Sequence, residues 1–410
     1  MRILVISQYF WPENFRINDL VAELVRRGHQ VTVLTGEPNY PGGVVFPDFK
    51  DRPEAFSKYE GAAVVRVGLL PRGLGGLRLM LNYASFALSA SILGPWKLRG
   101  QRFDTIFVFE PSPITVGLPA IVLKKLKRAP IAFWVLDLWP QSLTAVGAVH
   151  SKFVLGVVDR LVQFIYRRCD AVLAQSKSFI GAISRQIDDP ARIVYFPSWA
   201  EPAPMLETVQ FAPEVAERQD LFNVVFTGNI GEAQDFGAVL AAAEALRNDP
   251  VRWIIVGDGR KFGWLTEEVV RRGLEEQVLL AGRFDLERMP SFFRHADALL
   301  VSLRDEPIFA LTIPGKVQSY LMAGRPILAM LNGEGARVVH ESGAGFAVSA
   351  GNSAGLADAA RTMLALDSDE RDEMAKAGRH YAKVNFDRDT LITKLEELMS
   401  ELAARHAQRE

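Results

Sequence analysis

Short β-rich runs alternate with amphipathic helical patterns along this chain, stop, and then start again. "RILVIS" (2–7), "QVTVLT" (30–35), "AAVVRV" (62–67), "DTIFVF" (104–109), "IAFWVL" (131–136), "DAVLAQ" (170–175) and "RIVYFP" (192–197) read as strands. Helical patterns lie between them. In 16–28, for example, Leu20, Val21 and Leu24 share one face and Gly28 can cap the end. Such alternation predicts a parallel sheet with helices on both faces. Residues 198–220 have no clean period and carry Pro202, Pro204 and Pro213. The rhythm resumes with "FNVVFTG" (222–228), "VRWIIVG" (251–257), "QVLLAG" (277–282), "DALLVS" (297–302) and "RPILAM" (325–330). A chain of 410 residues is long for one core. The α/β expectation is therefore two doubly wound domains, 1–200 and 221–384, joined by a linker at 201–220. In 385–410, Leu391, Leu395, Leu398 and Leu402 form one stripe, so this amphipathic helix can cross back to the first domain.

Cys169 is the only cysteine, which excludes an intrachain disulfide and fits a reducing cytosol. "MRILVISQYF" enters a strand pattern directly and lacks signal-peptide organisation. No 18-residue charge-free apolar run suggests a transmembrane helix. Residues 1–205 hold 24 Lys+Arg against 16 Asp+Glu, whereas 206–410 hold 23 against 32. The balances of +8 and −9 make the first half the one expected to meet an anionic surface. Two surfaces of unequal charge with no such role are the plainer reading. Residues 74–98 are the least polar stretch, with Leu77, Met80, Leu81, Ala84, Leu88 and Ile92 on a broad face and Phe86 elsewhere. Arg78 interrupts it, and Lys97, Arg99, Arg102 and the "LKKLKRA" run at 123–129 follow. A buried helix and a lipid-touching face are both open.

Ligands of doubly wound sheets bind beyond the carboxyl ends of the strands. In the second domain, "FTGNIGEAQDF" offers Gly228 and Gly231 for close backbone approach, and "VGDGRKF" brackets Asp258 between Gly257 and Gly259, with Arg260 and Lys261 next. "AGRFD" places Arg283 after the third strand, and "SLRDEPIFALTIP" forms a long loop after the fourth. Any one of these is also a tight turn without a ligand; together they converge on one sheet end. The sharpest feature is "FALTIPGKVQSYLMAGRPIL" (309–328). Pro314 pre-sets a helix entrance, Gly315 keeps it open, and Lys316 sits in the first turn. A cation is disfavoured at that end of the helix dipole unless an anion lies between them. A phosphate satisfies both; a lysine snorkelling to solvent is the alternative.

The string "FTGNIG…VGDG…LAGR…HADALLVSL…IPGKVQSYLMAGRPIL…GAGFAV" resembles the donor-binding half of the GT-B glycosyltransferases of family 4. "QYFWPENFRINDLVAELVRRGHQVTVLTGEPNYP" and "WVLDLWPQSL" resemble a bacterial branch that builds surface polysaccharides such as colanic acid and O-antigens, N-acetyl-L-fucosamine transferases among them. The resemblance covers nearly the whole chain. It implies two Rossmann-like domains facing across a cleft, a nucleotide-sugar donor (UDP-linked) in the second, and transfer with retention, without metal or other cofactor. It also implies that Lys316 and the Thr312, Ile313, Pro314 and Gly315 loop hold the donor diphosphate. Gly228, Asn229 and Ile230 resemble the backbone loop under the donor, with Gly257, Asp258, Gly259, Arg260 and Arg283 at the neighbouring strand ends. The family's Glu-x7-Glu pair, whose second member grips the ribose, is absent. Leu311 and Ser319 stand at those positions, with Gln318 adjacent. Glu232 and Gln234 occupy the loop where a basic pair is usual, leaving Arg260, Lys261 or Arg283 to supply the charge.

In the first domain, Tyr9, Phe10 and Glu13 of "SQYFWPENF", Asn39 and Tyr40 of "TGEPNYPGG" and Glu110 of "FEPSP" lie after strands and are the acceptor-binding candidates. Aromatic rings there can stack on a sugar or simply pack the loop. Asp137 of "LDLWPQS" matches the family position that touches the transferred sugar or acceptor, and is the second catalytic candidate beside Lys316. A structural Asp capping the next helix is its rival reading. "DSD" (367–369) and "DRD" (387–389) lie in charged helical sequence away from strand ends, and no His/Cys spacing suits a metal.

These readings converge on a cytoplasmic transferase, peripheral on the inner face of the cell membrane. Its expected partners are a nucleotide diphosphate-sugar, a polyprenyl-diphosphate-linked or other glycan acceptor and an anionic lipid surface, with no nucleic acid. A nucleotide-sugar 2-epimerase of similar fold and a non-catalytic partner subunit remain alternatives. A nicotinamide dehydrogenase would need a Gly-x-Gly-x-x-Gly turn after the first strand, and "SQYFWPE" has no glycine.

Overall fold

In the computed structural model, residues 1–73, 75–145, 151–201, 204–218 and 220–408 are described. The chain divides into two compact units, 1–197 with 392–410 and 198–391. The first unit is built on eight strands: β1 (Arg2–Ile6), β2 (Gln30–Gly36), β3 (Lys58–Tyr59), β4 (Ala62–Val67), β5 (Thr105–Glu110), β6 (Ile131–Val135), β7 (Ala171–Ala174) and β8 (Ile193–Tyr195). Their order is β3-β4-β2-β1-β5-β6-β7-β8. Among the described residues only the short β3, which sequence periodicity did not reveal, runs antiparallel to its neighbour. The second unit carries β9 (Phe222–Thr227), β10 (Val251–Val256), β11 (Val278–Gly282), β12 (Ala298–Ser302), β13 (Ile327–Met330) and β14 (Gly345–Val348), ordered β11-β10-β9-β12-β13-β14. All its pairings are parallel. β14 was missed because "GAGFAV" is short and opens with glycines, although Gly345–Val348 pairs in register with all of β13.

Central strands β5, β6, β9 and β10 are buried throughout, as expected of strands covered by helices on both faces. The helix Arg16–Arg26 buries Ile17, Leu20, Val21 and Leu24. The stretch read as a linker belongs to the second unit and is anchored in its core at three points. Leu206, Ala212 and Val215 pack there with Phe292 and Phe293, and His295 Nε2 meets the Ala212 carbonyl at 3.0 Å. Pro202 lies outside the described residues.

The last helix, Arg388–Ala407, buries Leu391, Ile392, Leu395, Met399 and Leu402. Leu398 is only half-buried; Met399 takes the core position expected for it. From 392 onward this helix belongs to the first unit. Glu396 fixes it there through His29 Nε2 at 2.5 Å and Arg27 Nη1 at 2.6 Å.

The apolar helix is Gly76–Lys97. Its buried face is Asn82, Tyr83, Phe86, Ala87, Ala90 and Gly94. The broad apolar face read from sequence points outward: Leu77 is 74% exposed, Leu88 64% and Ile92 63%, with Met80, Leu81 and Trp96 also exposed. A simple buried helix is therefore excluded. Nearby, the 123–129 run is partly engaged: Lys124 pairs with Asp170 at 2.6 Å and Lys127 donates to the Leu98 carbonyl at 2.5 Å. Among the described residues no helix is long and apolar enough to cross a membrane.

Candidate active site

In the second unit the loops after β9 and β10 are laced together by their backbones. Gly228 N donates to Val256 O at 2.8 Å, Ile230 N to Asp258 O at 2.9 Å and Lys261 N to Ile230 O at 3.0 Å. This approach requires glycine. A Cβ on Gly257 (φ +151°) would lie 1.8 Å from Gly228 O, and one on Gly259 (φ +159°) 2.3 Å from Ile230 O.

Above this floor starts the helix Gly315–Ala323, with Pro314 at its N-cap, no side-chain cap and no acidic residue in its first turn. The N–H groups of Gly315 and Lys316 are thus left to an outside acceptor, while Val317 N donates to Pro314 O at 2.9 Å. Tyr320 Oη accepts from Thr227 N at 3.0 Å and fastens the helix to β9. Lys316 is half-buried and leans back over the loop. Its Nζ sits 4.8 Å from the Phe226 ring centroid, and a Cβ on Gly228 would lie 3.1 Å from it. Burial lowers the ammonium to about 8. Among the described residues no carboxylate pairs with it.

Two cavities share Gly228 and Met289. One, about 380 Å³, is lined by Asn229, Gly257, Asp258, Gly259, Arg283 and Phe284. The other, about 540 Å³, is more apolar and includes Thr227, Glu287, Phe293, Lys316 and Ser319. The open choice among basic residues narrows here. Lys261 is held by Glu232 at 2.8 Å, whereas Arg283 lines the first cavity and has no ion-pair partner among the described residues. Arg260 is exposed and lines neither cavity.

Several donor candidates have other contacts. Gln318 is buried, and its Nε2 donates to Ser198 O at 2.6 Å. Ile313 and Ile230 place their side chains in the core. Thr312 Oγ1 donates to Phe309 O at 3.1 Å, and Gly315 is exposed at the helix mouth. Leu311 supplies no carboxylate. Glu287, which sequence reading passed over because one Glu in a helical run carries no signal, faces the second cavity beside Ser319.

The acceptor candidates of the first unit are mostly structural, contrary to expectation. Glu13 is buried, its Oε1 accepting from Asn39 N at 2.8 Å and Tyr40 N at 2.7 Å, its Oε2 from Phe10 N at 3.1 Å. It clamps two loops together. Burial raises its carboxyl, and those three backbone donors oppose the rise. Asn39 is buried and accepts from Arg72 N at 2.8 Å. Phe10 is core. Tyr9 is buried, stacked on Phe15 at 5.3 Å. Only Tyr40 of this group is partly open, with Arg72 5.3 Å from its ring centroid.

At the carboxyl edge of β5 and β6 the site is made of side chains. Asp137 is half-buried and accepts from Ser142 Oγ. Burial pushes it up to about 6, against hydrogen bonds from Ser142 and Trp139. Glu110 is fully buried, so it cannot touch an acceptor directly as expected. Among the described residues neither of its oxygens meets a donor at full hydrogen-bond geometry; burial, then the charge of Asp137, holds its carboxyl well above the usual range, against the backbone N–H groups of Asp137 and Leu136. Tyr83, Tyr166 and Ser112 complete this cluster and were missed, because they come from three separate segments. Ser112 has φ +125°, rare for a residue with a side chain.

Two family models match the chain: a glycosyl transferase 4-like domain over 14–199 and a glycosyl transferases group 1 domain over 222–366. With the two parallel-sheet units and these strand-end sites, they define a glycosyltransferase of the GT-B fold. The chain is 26% identical over 346 residues (79% of it, 82% of the relative) to the putative colanic acid biosynthesis glycosyl transferase WcaI of Escherichia coli (strain K12). It is also 26% identical over 299 residues (68% of each) to the probable glycosyltransferase WbjE of Pseudomonas aeruginosa. Among solved structures it resembles a sucrose-phosphate synthase from Thermosynechococcus elongatus (TM-score 0.72, 15% identity, 98% and 99% of the two chains). It also resembles HepE of Anabaena in complex with UDP and glucose (TM-score 0.66, 15% identity, 98% and 99%).

Proposed function

We propose that this glycosyltransferase moves a sugar, with retention of configuration, from a UDP-linked donor to a polyprenyl-diphosphate-linked or other glycan acceptor in bacterial surface-polysaccharide synthesis. The observation that carries the donor side is Lys316: a desolvated cation without a carboxylate partner, over a glycine-laced floor, at an uncapped helix N-terminus. That is a diphosphate site. The UDP held by HepE and the naming of WcaI support the donor class and the pathway.

In this reading the acceptor oxygen bonds to the anomeric carbon on the face from which the diphosphate leaves. The bond to phosphate breaks, and the acceptor proton passes to the departing phosphate oxygen. Lys316, Arg283 and the helix N–H groups stabilise the charge that grows on the leaving group. Asp137 meets the transferred sugar or acceptor. The exposed apolar face of the helix Gly76–Lys97, with exposed Arg78, Lys97, Arg99, Arg102 and Lys125, supports docking on an anionic membrane.

A thermal-shift screen of nucleoside diphosphates, followed by transfer to lipid-linked acceptors, tests the assignment. Stabilisation by UDP and acceptor-dependent release of UDP are expected. Conversion of the nucleotide sugar without acceptor would point to an epimerase instead. EDTA should leave turnover unchanged; loss restored by magnesium would overturn the metal-free chemistry.

A further inference from the structure

The pair at the edge of β5 and β6 has a property that the donor site lacks: buried carboxyls without a cation. Glu110 ends β5 and pairs in register with Val135 of β6; Asp137 follows two residues later, and Leu136 N donates to Glu110 O at 3.1 Å. Glu110 has no exposed surface, and among the described residues neither oxygen has a hydrogen-bond partner. Among the described residues the Oη of Tyr166 is likewise buried without a partner. A buried polar atom without a partner is costly, so several at one strand edge call for a role. The strained backbone of Ser112 at the same edge adds to that case.

The groups facing the pair come from four segments. Tyr83 projects from the helix Gly76–Lys97, and Tyr166 from the helix Lys152–Tyr166. Ser112 lies in the loop after β5, and Trp139 and Ser142 follow β6. Among the described residues neither carboxyl has an ion-pair partner; Arg72 acts on Tyr83. Two carboxyls in a low-dielectric setting without a cation cannot both ionise, and the proton stays with the more buried one.

We propose that Glu110 and Asp137 form a carboxyl pair holding one proton, in which Glu110 is a positioning residue. It stays neutral and keeps Asp137 as a charged, acceptor-only group toward a hydroxyl of the transferred sugar or the acceptor. This rests on the reading of Asp137 given above. It gives the fully buried Glu110 a role through its neighbour that direct contact cannot supply.

The test is the pH dependence of kcat and kcat/KM in wild type, E110Q, E110L and D137N, with the melting temperature of each. Wild type should show an acid limb near pH 6, the value to which Asp137 is raised. E110Q, isosteric with a neutral Glu110, should leave that limb in place with donor KM unchanged. E110L should lower kcat at least tenfold while donor KM and melting temperature hold. Where E110L does not fold, infrared spectra of wild type and E110Q decide: a protonated carboxyl band at neutral pH, absent from E110Q, is expected. A limb lowered by about a unit or more in E110Q, the mark of a negative charge removed from beside Asp137, together with a crippled D137N, would overturn this proposal alone. Wild-type turnover in D137N would overturn the role of Asp137 and the proposal with it.

Discussion

The two strand-end sites solve opposite problems by opposite means. In the second unit the surface is backbone: glycine loops and a helix mouth, with one lysine leaning over them. In the first unit it is side chains, with carboxyls and phenols packed under a strand edge. Backbone amides recognise an anion wherever the chain turns correctly, so a short run of sequence specifies most of the site. Side-chain clusters exist only after distant segments have folded together.

The sharpest way to break the contrast is Lys316→Ala. It should lower kcat/KM ten- to thousand-fold, about 1.4–4 kcal/mol of transition-state stabilisation, with the fold intact. Unchanged turnover in a folded variant would remove the diphosphate role. Asp137→Asn should do the reverse of a donor-site change, cutting turnover while nucleoside diphosphate binding by calorimetry stays near wild type. An equal loss of melting temperature and activity would make Asp137 a helix-positioning group. Gly257→Ala attacks the floor: the added Cβ would sit 1.8 Å from Gly228 O, so the loops must part. UDP affinity should fall about tenfold, alongside roughly 1–3 kcal/mol of backbone strain.

The two sites should also respond to pH with opposite signs. Lys316 is lowered from 10.5 to about 8, so the unfolded chain holds more protons between those values and stability rises with pH there. Asp137 is raised from 3.8 to about 6, so the folded chain holds the extra proton and stability falls as pH climbs through that window. Melting curves of K316M and D137N should each lose one slope and keep the other. UDP affinity should weaken above pH 8 in wild type and not in K316M.

The smallest effect belongs to the surface. Leu88→Glu should reduce flotation with anionic liposomes at low salt without changing turnover on a soluble acceptor. Binding equal to wild type would dismiss that helix face as the docking surface.

The sequence disclosed twelve of these strands, because apolar runs separated by helical patterns leave few other folds. The place of Lys316 at a helix mouth was legible for a related reason: a cation in the first turn contradicts the helix dipole, and a contradiction is a signal. Glu13 shows why the acceptor side was not. Its position after β1 looks functional, yet its oxygens are consumed by the backbone at Phe10, Asn39 and Tyr40, a partnership spanning up to 27 residues. Gln318 failed the same way, turned to Ser198 by a contact across 120 positions. The face that the Gly76–Lys97 helix turns outward stayed open in the sequence for another reason. Periodicity finds an apolar stripe, but it cannot say whether the stripe or the Phe86 side meets the sheet.

The tether of Glu396 to His29 and Arg27 makes the first domain a discontinuous body, closed by a piece of chain that arrives last. On the ribosome, Ser198–Leu391 emerges before that piece does. At about 5–20 residues per second the first sheet waits on the order of 10–40 s for its final helix. During that interval the nascent domain has Leu20 and its neighbours in place while the surface awaiting Leu395 and Met399 stays uncovered. Premature termination anywhere in the second domain therefore leaves two incomplete bodies instead of one finished and one missing, and quality control meets both at once.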